Sequence, residues 1–110
     1  MKYQRIKRKK EITAILKSGK RLYSGSLTIV TLPAEEARMA VCVGKKFGKS
    51  VERNRIKRLL REAFRLQENF PPCACLLLPK VAKEYAFSVF YADIKKMIAR
   101  ERAGKEGKAS

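Results

Sequence analysis

Between Lys46 and Arg65 the chain reads KFGKSVERNRIKRLLREAFR, a dense run of positive charge laid over a regular apolar pattern. As a helix, the segment can satisfy both properties only by placing charge on one face and apolar residues on the other. Projected at about 100° per residue, Ile56, Leu59, Leu60, Ala63, Phe64 and Leu66 fall on one broad side. Asn54, Lys57, Arg58, Arg61 and Arg65 fall opposite, with Arg53 and Arg55 flanking them. Over residues 51–67 such a helix would run roughly 24 Å, enough to cross several phosphates. The charged side has almost no compensating acid, Glu62 at its edge being the main exception. Like charges at i, i+4 repel, so this face destabilises the free protein and calls for a ligand that neutralises it.

The rest of the composition points the same way. Lys and Arg number 27 against 10 Asp and Glu, a formal charge of +17 in 110 residues. Solubility needs far less, and a polyanionic partner is the simplest reason to keep such a charge. Nucleic acid leads and an anionic membrane surface is the alternative. No apolar run approaches the roughly 20 residues of a spanning helix. The charged start MKYQRIKRKK is not followed by a signal-peptide core, so the chain reads as soluble and cytoplasmic. Three cysteines and no histidine argue against a disulfide framework. Cys73-Ala-Cys75 lacks zinc-site spacing, and Cys42 cannot complete a four-ligand site, so no metal ligand is assigned and the thiols read as small apolar residues. Without His, the commonest general base for RNA cleavage is missing. A Lys, Glu or Tyr mechanism stays open, but no catalytic constellation stands out.

Apolar residues make up 45% of the chain, which supports one modest core over residues 1–103, with a disordered tail expected over 104–110. Residues 1–10 form a basic arm. Ile12, Ile15 and Leu16 predict a short helix over 9–18, stopped by Gly19. LTIVTL, residues 27–32, predicts a strand ended by Pro33, and RMAVCVG, residues 38–44, a second strand antiparallel to it. After the basic loop 45–49, Ser50 is the expected N-cap of the charged helix, and Pro71-Pro72 forbids its continuation. CACLLL, residues 73–78, predicts a buried strand, and a last helix over 88–102 turns Phe90, Ile94, Met97 and Ile98 inward. The order α-β-β-α-β-α, with room for a further short strand around Tyr23, predicts an α+β fold with helices on one face of a small mixed sheet. Tyr3 and Tyr23 are candidates for base stacking and equally for ordinary core or surface positions.

Lys45-Lys46-Phe47-Gly48-Lys49, followed by RN-x-x-KR-x-x-RE-x-x-R from Arg53-Asn54-Arg55 through Lys57-Arg58 and Arg61-Glu62 to Arg65, resembles the signature of the bacterial ribonuclease P protein component. The resemblance extends over nearly the whole chain. It implies an RNA-binding subunit of an endoribonuclease that removes the 5′ leader of precursor tRNA, with hydrolysis carried by a catalytic RNA and its Mg²⁺. The partners would be that RNA and precursor tRNA, with no membrane, no small-molecule substrate and no cofactor held by the protein alone. Carried over by position, Lys45, Lys46, Lys49, Arg53, Asn54, Arg55, Lys57, Arg58, Arg61 and Arg65 would contact the catalytic RNA. The family's leader cleft, between the first helix and the sheet, would map to Ile12, Leu16 and Val30 with the basic residues Arg5, Lys7 and Arg8. None of the three apolar positions is aromatic, so base stacking is lost there, and plain core is an equal reading of them. The resemblance also implies a left-handed β-α-β crossover, against the usual hand. A structural protein of ribosomal type, bound to ribosomal RNA, is the alternative function; RNA that co-purifies with the protein separates the two.

Overall fold

The computed structural model of the chain describes residues 2–68 and 70–101; the tail over 104–110 lies outside them. Its elements are β1 (Gln4–Arg5), α1 (Lys9–Ser18), β2 (Lys20–Tyr23), β3 (Leu27–Pro33) and β4 (Arg38–Val41). A 3₁₀ turn (Lys45–Phe47), α2 (Ser50–Arg65), β5 (Cys73–Pro79) and α3 (Phe87–Ala109) follow.

One five-stranded sheet runs in the order β1-β4-β5-β3-β2. β5 is its centre, parallel to β4 (Met39 opposite Cys75) and antiparallel to β3 (Val30 opposite Leu76). Its residues Cys73 to Leu77 are all buried. A strand covered on both faces is apolar throughout instead of alternating, which is why CACLLL takes the middle. β3 and β4 do run in opposite directions, but they are not neighbours, because β5 lies between them. α2 joins β4 to β5 as a crossover between adjacent parallel strands.

The helices are not confined to one face. α2 and α3 cover the side carrying Leu27, Ile29, Met39, Cys75 and Leu77, where Leu60, Phe64, Phe90 and Ile94 complete the main core. α1 packs on the other side, over Val30, Ala74 and Leu76, through Ile15 with Ile12 and Leu16. The single-face expectation fails because Val30, Ala74 and Leu76 alternate away from the main core and need their own cover.

Two elements sharpen the sequence picture at the edges. The suspected strand at Tyr23 is β2, a hairpin partner of β3. Its turn is closed by Ser24 Oγ donating to Leu27 O at 2.8 Å, and tied to α3 by Ser26 N–H donating to Asp93 Oδ2 at 3.0 Å. The basic arm is partly structured: β1 pairs with β4, Ile6 is buried, and the Tyr3 ring stacks on Phe64 at 5.1 Å.

Ser50 is the first residue of α2 and not its cap; Lys49 holds the cap position, with no side-chain hydrogen bond. At the other end the helix stops at Arg65, so Leu66 leaves the apolar face and is 45% exposed. Gln67 takes the interior place instead, its Nε2 donating to Ala63 O and Tyr91 O, each at 3.0 Å. Those two bonds satisfy a buried amide and fasten α2 to α3.

Candidate nucleic-acid interface

The charged surface is built outward from buried anchors. Phe47 is buried and packs near Tyr85, pinning the 3₁₀ turn, so Lys45, Lys46 and Lys49 are exposed around it. Lys46 Nζ lies 5.4 Å from the Phe47 ring centroid. Gly48 then turns the chain at φ 112°, a conformation that favours glycine, and delivers it to the start of α2. Ile56, Leu60, Ala63 and Phe64 hold α2 to the sheet. Asn54, Arg55, Arg58 and Arg65 consequently face solvent, while Arg53, Lys57 and Arg61 lie half-buried along the flanks. All ten residues assigned to RNA contact thus lie on this one helix and the loop before it.

Its electrostatics are nearly unopposed. Among the described residues the ion pairs are Lys20–Glu101, Arg38–Glu11 and Arg65–Glu62. Only the last touches the stripe. Arg65 donates to Glu62 from Nη2 at 2.8 Å, a bond that holds the Glu62 carboxyl below its ordinary value. Arg53 Nη2 reaches Ser50 Oγ at 3.3 Å, while its Nε is buried without a hydrogen-bond partner. The surface therefore presents guanidinium donors with few internal acceptors, which suits phosphate oxygens.

A second surface lies where α1 crosses the sheet. Arg38 on β4 grips Glu11 on α1 through both guanidinium nitrogens, Nη2 to Oε2 at 3.0 Å, and so fixes the helix over the strands. Of the residues assigned to the leader cleft, Ile12 and Leu16 are half-buried under α1, and Lys7 and Arg8 are exposed beside it. Val30 is fully buried, so its side chain is core and offers no surface. Arg5 pairs with Met39, whose side chain belongs to the main core, so Arg5 leaves the sheet on the α2 side, although at the sheet's edge it still lines one pocket with Lys7 and Ile12. The basic arm is therefore split between the two surfaces.

Tyr23, a stacking candidate from the sequence, lies on this second face at the end of a row that the sequence did not assign to any site. Tyr23 pairs with Thr28, Thr28 with Leu78, and Cys42 packs in the same α1-side cluster as Leu78. Tyr23 is 60% exposed, and the other three are only half-buried. Arg21, opposite Val30, is on that face too. Alternation along Lys20–Tyr23 was the available signal. Among the described residues, no group of three or more His, Cys, Asp or Glu could hold a metal, and no helix is long and apolar enough to cross a membrane.

A family model described as ribonuclease P matches residues 1–102. The ribonuclease P protein component of Chlamydia muridarum is 33% identical over 101 residues, spanning 88% of this chain and 85% of that protein. That of Coprothermobacter proteolyticus is 42% identical over 79 residues, spanning 69% of this chain and 65% of that protein. The solved structure of the Staphylococcus aureus RNase P protein has the same fold, with a TM-score of 0.77 and 23% identity over 91% of this chain and 96% of that one.

Proposed function

The chain belongs to the ribonuclease P protein family, and on that premise we propose that it is the RNA-binding subunit of a cytoplasmic ribonucleoprotein that removes the 5′ leader of precursor tRNA. The observation that carries this reading is the α2 stripe: exposed Arg55 and Arg58 with flanking Lys57 and Arg61, held rigidly on a packed core and scarcely opposed by acids. Such a surface binds polyanions by releasing their counterions. On this reading the chemistry is carried by the RNA subunit, where Mg²⁺ would act as Lewis acid and source of hydroxide.

The protein's part is positional. The basic loop and α2 would hold the catalytic RNA, and the α1 groove, with Lys7, Arg8, Ile12 and Leu16, would take the single-stranded leader. Arg38 and Glu11 fix the groove's geometry by locking α1 onto β4. Tyr23 gives that face an exposed ring on which a base can stack, in the absence of aromatics at Ile12, Leu16 and Val30.

The test is a cleavage assay on precursor tRNA at low Mg²⁺. A ribonuclease P RNA transcript alone should cut poorly, the protein alone not at all, and the two together efficiently. Robust cleavage by RNA-free protein would overturn the proposal. In direct binding to the transcript, Arg58→Ala should lose affinity and reduce the salt slope by roughly 0.7–0.9 units, the share of one phosphate contact.

A further inference from the structure

Arg5 and Arg61 are 56 positions apart, yet they line one pocket of about 280 Å³ beside β4, where the short strand β1 leaves its edge, with Ile6, Lys7, Met39 and Val41. The juxtaposition is built in. Tyr3 and Arg5 alternate onto the same side of β1, and Phe64 and Arg61 lie one helical turn apart on α2. Stacking of Tyr3 on Phe64 at 5.1 Å therefore sets Arg5 beside Arg61. Burial and the Arg5 charge together pull the Arg61 guanidinium below its ordinary value, with Tyr3 acting weakly the other way. Among the described residues, the ion pairs leave both arginines out: Glu11 is taken by Arg38 and Glu62 by Arg65. Two like charges are thus held together by an aromatic contact, with no acid between them. That arrangement costs the free protein stability, and an anion in the pocket relieves it.

We propose that Arg5 and Arg61 clamp a single phosphodiester group of bound RNA at the β4 edge, so that docking of the N-terminal strand and RNA binding along α2 reinforce each other. The proposal rests on the RNA-subunit reading above and adds a site to it. Each guanidinium supplies a planar pair of donors, and two of them can satisfy both non-bridging oxygens of one phosphate. The pocket also spans from α1 to the α2 stripe, since Lys7 and Ile12 on the α1 side and Arg61 of α2 all line it. A phosphate held there connects the two surfaces.

A double-mutant cycle tests this, with Arg5→Gln and Arg61→Gln keeping much of the side-chain bulk while removing the charge. Binding to a ribonuclease P RNA transcript is measured between 50 and 200 mM salt. Each single variant should reduce the slope by roughly 0.7–0.9 units, about a threefold smaller change in affinity over that range, and the double variant by no more than either single one. A loss twice as large in the double variant, or none in the singles, overturns the clamp. Without anions at low salt, each single variant should melt no lower than wild type; 10 mM inorganic phosphate should raise the wild-type midpoint more than theirs. A variant that melts lower without phosphate shows a merely structural role and also overturns the clamp. Arg58→Ala separates the two claims. If it leaves the slope unchanged, the RNA-subunit reading has failed and the phosphate titration alone decides whether the pair binds an anion. A phosphate response equal in wild type and variants then counts against the clamp.

Discussion

Gly19 and Gly44 should respond to the same substitution with opposite sign. Gly19 ends α1, its N–H donating to Ile15 O at 2.7 Å, and its φ of −74° and ψ of 154° are open to any residue. What requires glycine there is space. A β-carbon at Gly19 would sit 2.5 Å from Ile15 O, 2.5 Å from Val30 Cγ1 and 3.1 Å from Thr31 O. Two of these atoms are backbone, one in α1 and one in β3, and Val30 is itself fully buried. Relief therefore means moving the helix end off the sheet. Overpacking of this kind costs about 1–3 kcal/mol, offset by roughly 0.4–1 kcal/mol from the less flexible unfolded chain. Gly19→Ala should thus lose up to about 2.6 kcal/mol, toward the upper end because two of the three clashing atoms are backbone, and each kcal/mol lowers the melting midpoint by roughly 4–8 °C. Gly44 has φ −90° and ψ −175°, and a β-carbon there meets nothing within 4 Å. Gly44→Ala should gain roughly 0.4–1 kcal/mol from the unfolded state alone. Urea unfolding of wild type and both variants, with unchanged m-values, gives the comparison. If Gly19→Ala is as stable as wild type, or both variants shift the same way, the close packing of α1 on β3 is not what fixes Gly19.

Three further outcomes can be checked on the same protein. Leu60 is fully buried and Leu59 only half so; Leu60→Ala should cost about 2–5 kcal/mol and Leu59→Ala clearly less, and equal urea midpoints would contradict the facing of α2. Cys73 and Cys75 are buried, and burial pushes the half-buried Cys42 thiol up; intact-mass analysis after alkylation at pH 8 should show at most one slow adduct, at Cys42, and a second adduct in the folded protein would refute this. Because Arg65 depresses the Glu62 carboxyl, the pair's stabilisation is present above the unfolded pKa of Glu62 and lost as pH falls through the lower folded value. Glu62→Gln should therefore remove a small part of the acid-side drop in melting midpoint, small because both groups are exposed; an identical acid limb would show that the pair adds nothing.

The parts of the fold legible in the sequence were those whose side chains obey a single period. α1 lies at 9–18 as its i, i+3, i+4 spacing required, and the inner face of α3 is Phe90, Ile94, Met97 and Ile98. What pairing decides was harder to read. The unbroken apolar run of β5 marked it as buried, but with helices expected on one face only, nothing placed it between β3 and β4. β1 is too short to carry a period; two residues and the Tyr3–Phe64 contact place it. The helix ends failed for a related reason. Projection continued α2 past Arg65, whereas the two hydrogen bonds of Gln67 give a polar side chain the interior place that Leu66 had been assigned.

The interface shows why the charged stripe was legible and its limits were not. A basic face of this density must avoid the core, so the projection placed Asn54, Arg58 and Arg65 outward correctly, whereas Lys57 and Arg61, set on the same stripe, are half-buried on its flanks and Arg55, set on a flank, is exposed. Where the face ends is set by the sheet. α2 is the crossover between β4 and the central strand β5, anchored through Ile56, Leu60, Ala63 and Phe64, so the stripe cannot bend away from a partner without unpacking Leu60 and Phe64. That rigidity makes like-charge repulsion unavoidable in the free protein. It also means that a bound polyanion spends little on ordering the surface it meets. At the β4 edge the same logic recruits a residue from the far end of the chain: β1 pairs with β4 in parallel, this register points Tyr3 and Arg5 toward α2, and Arg5 joins a surface that the sequence had assigned to the helix and the loop before it.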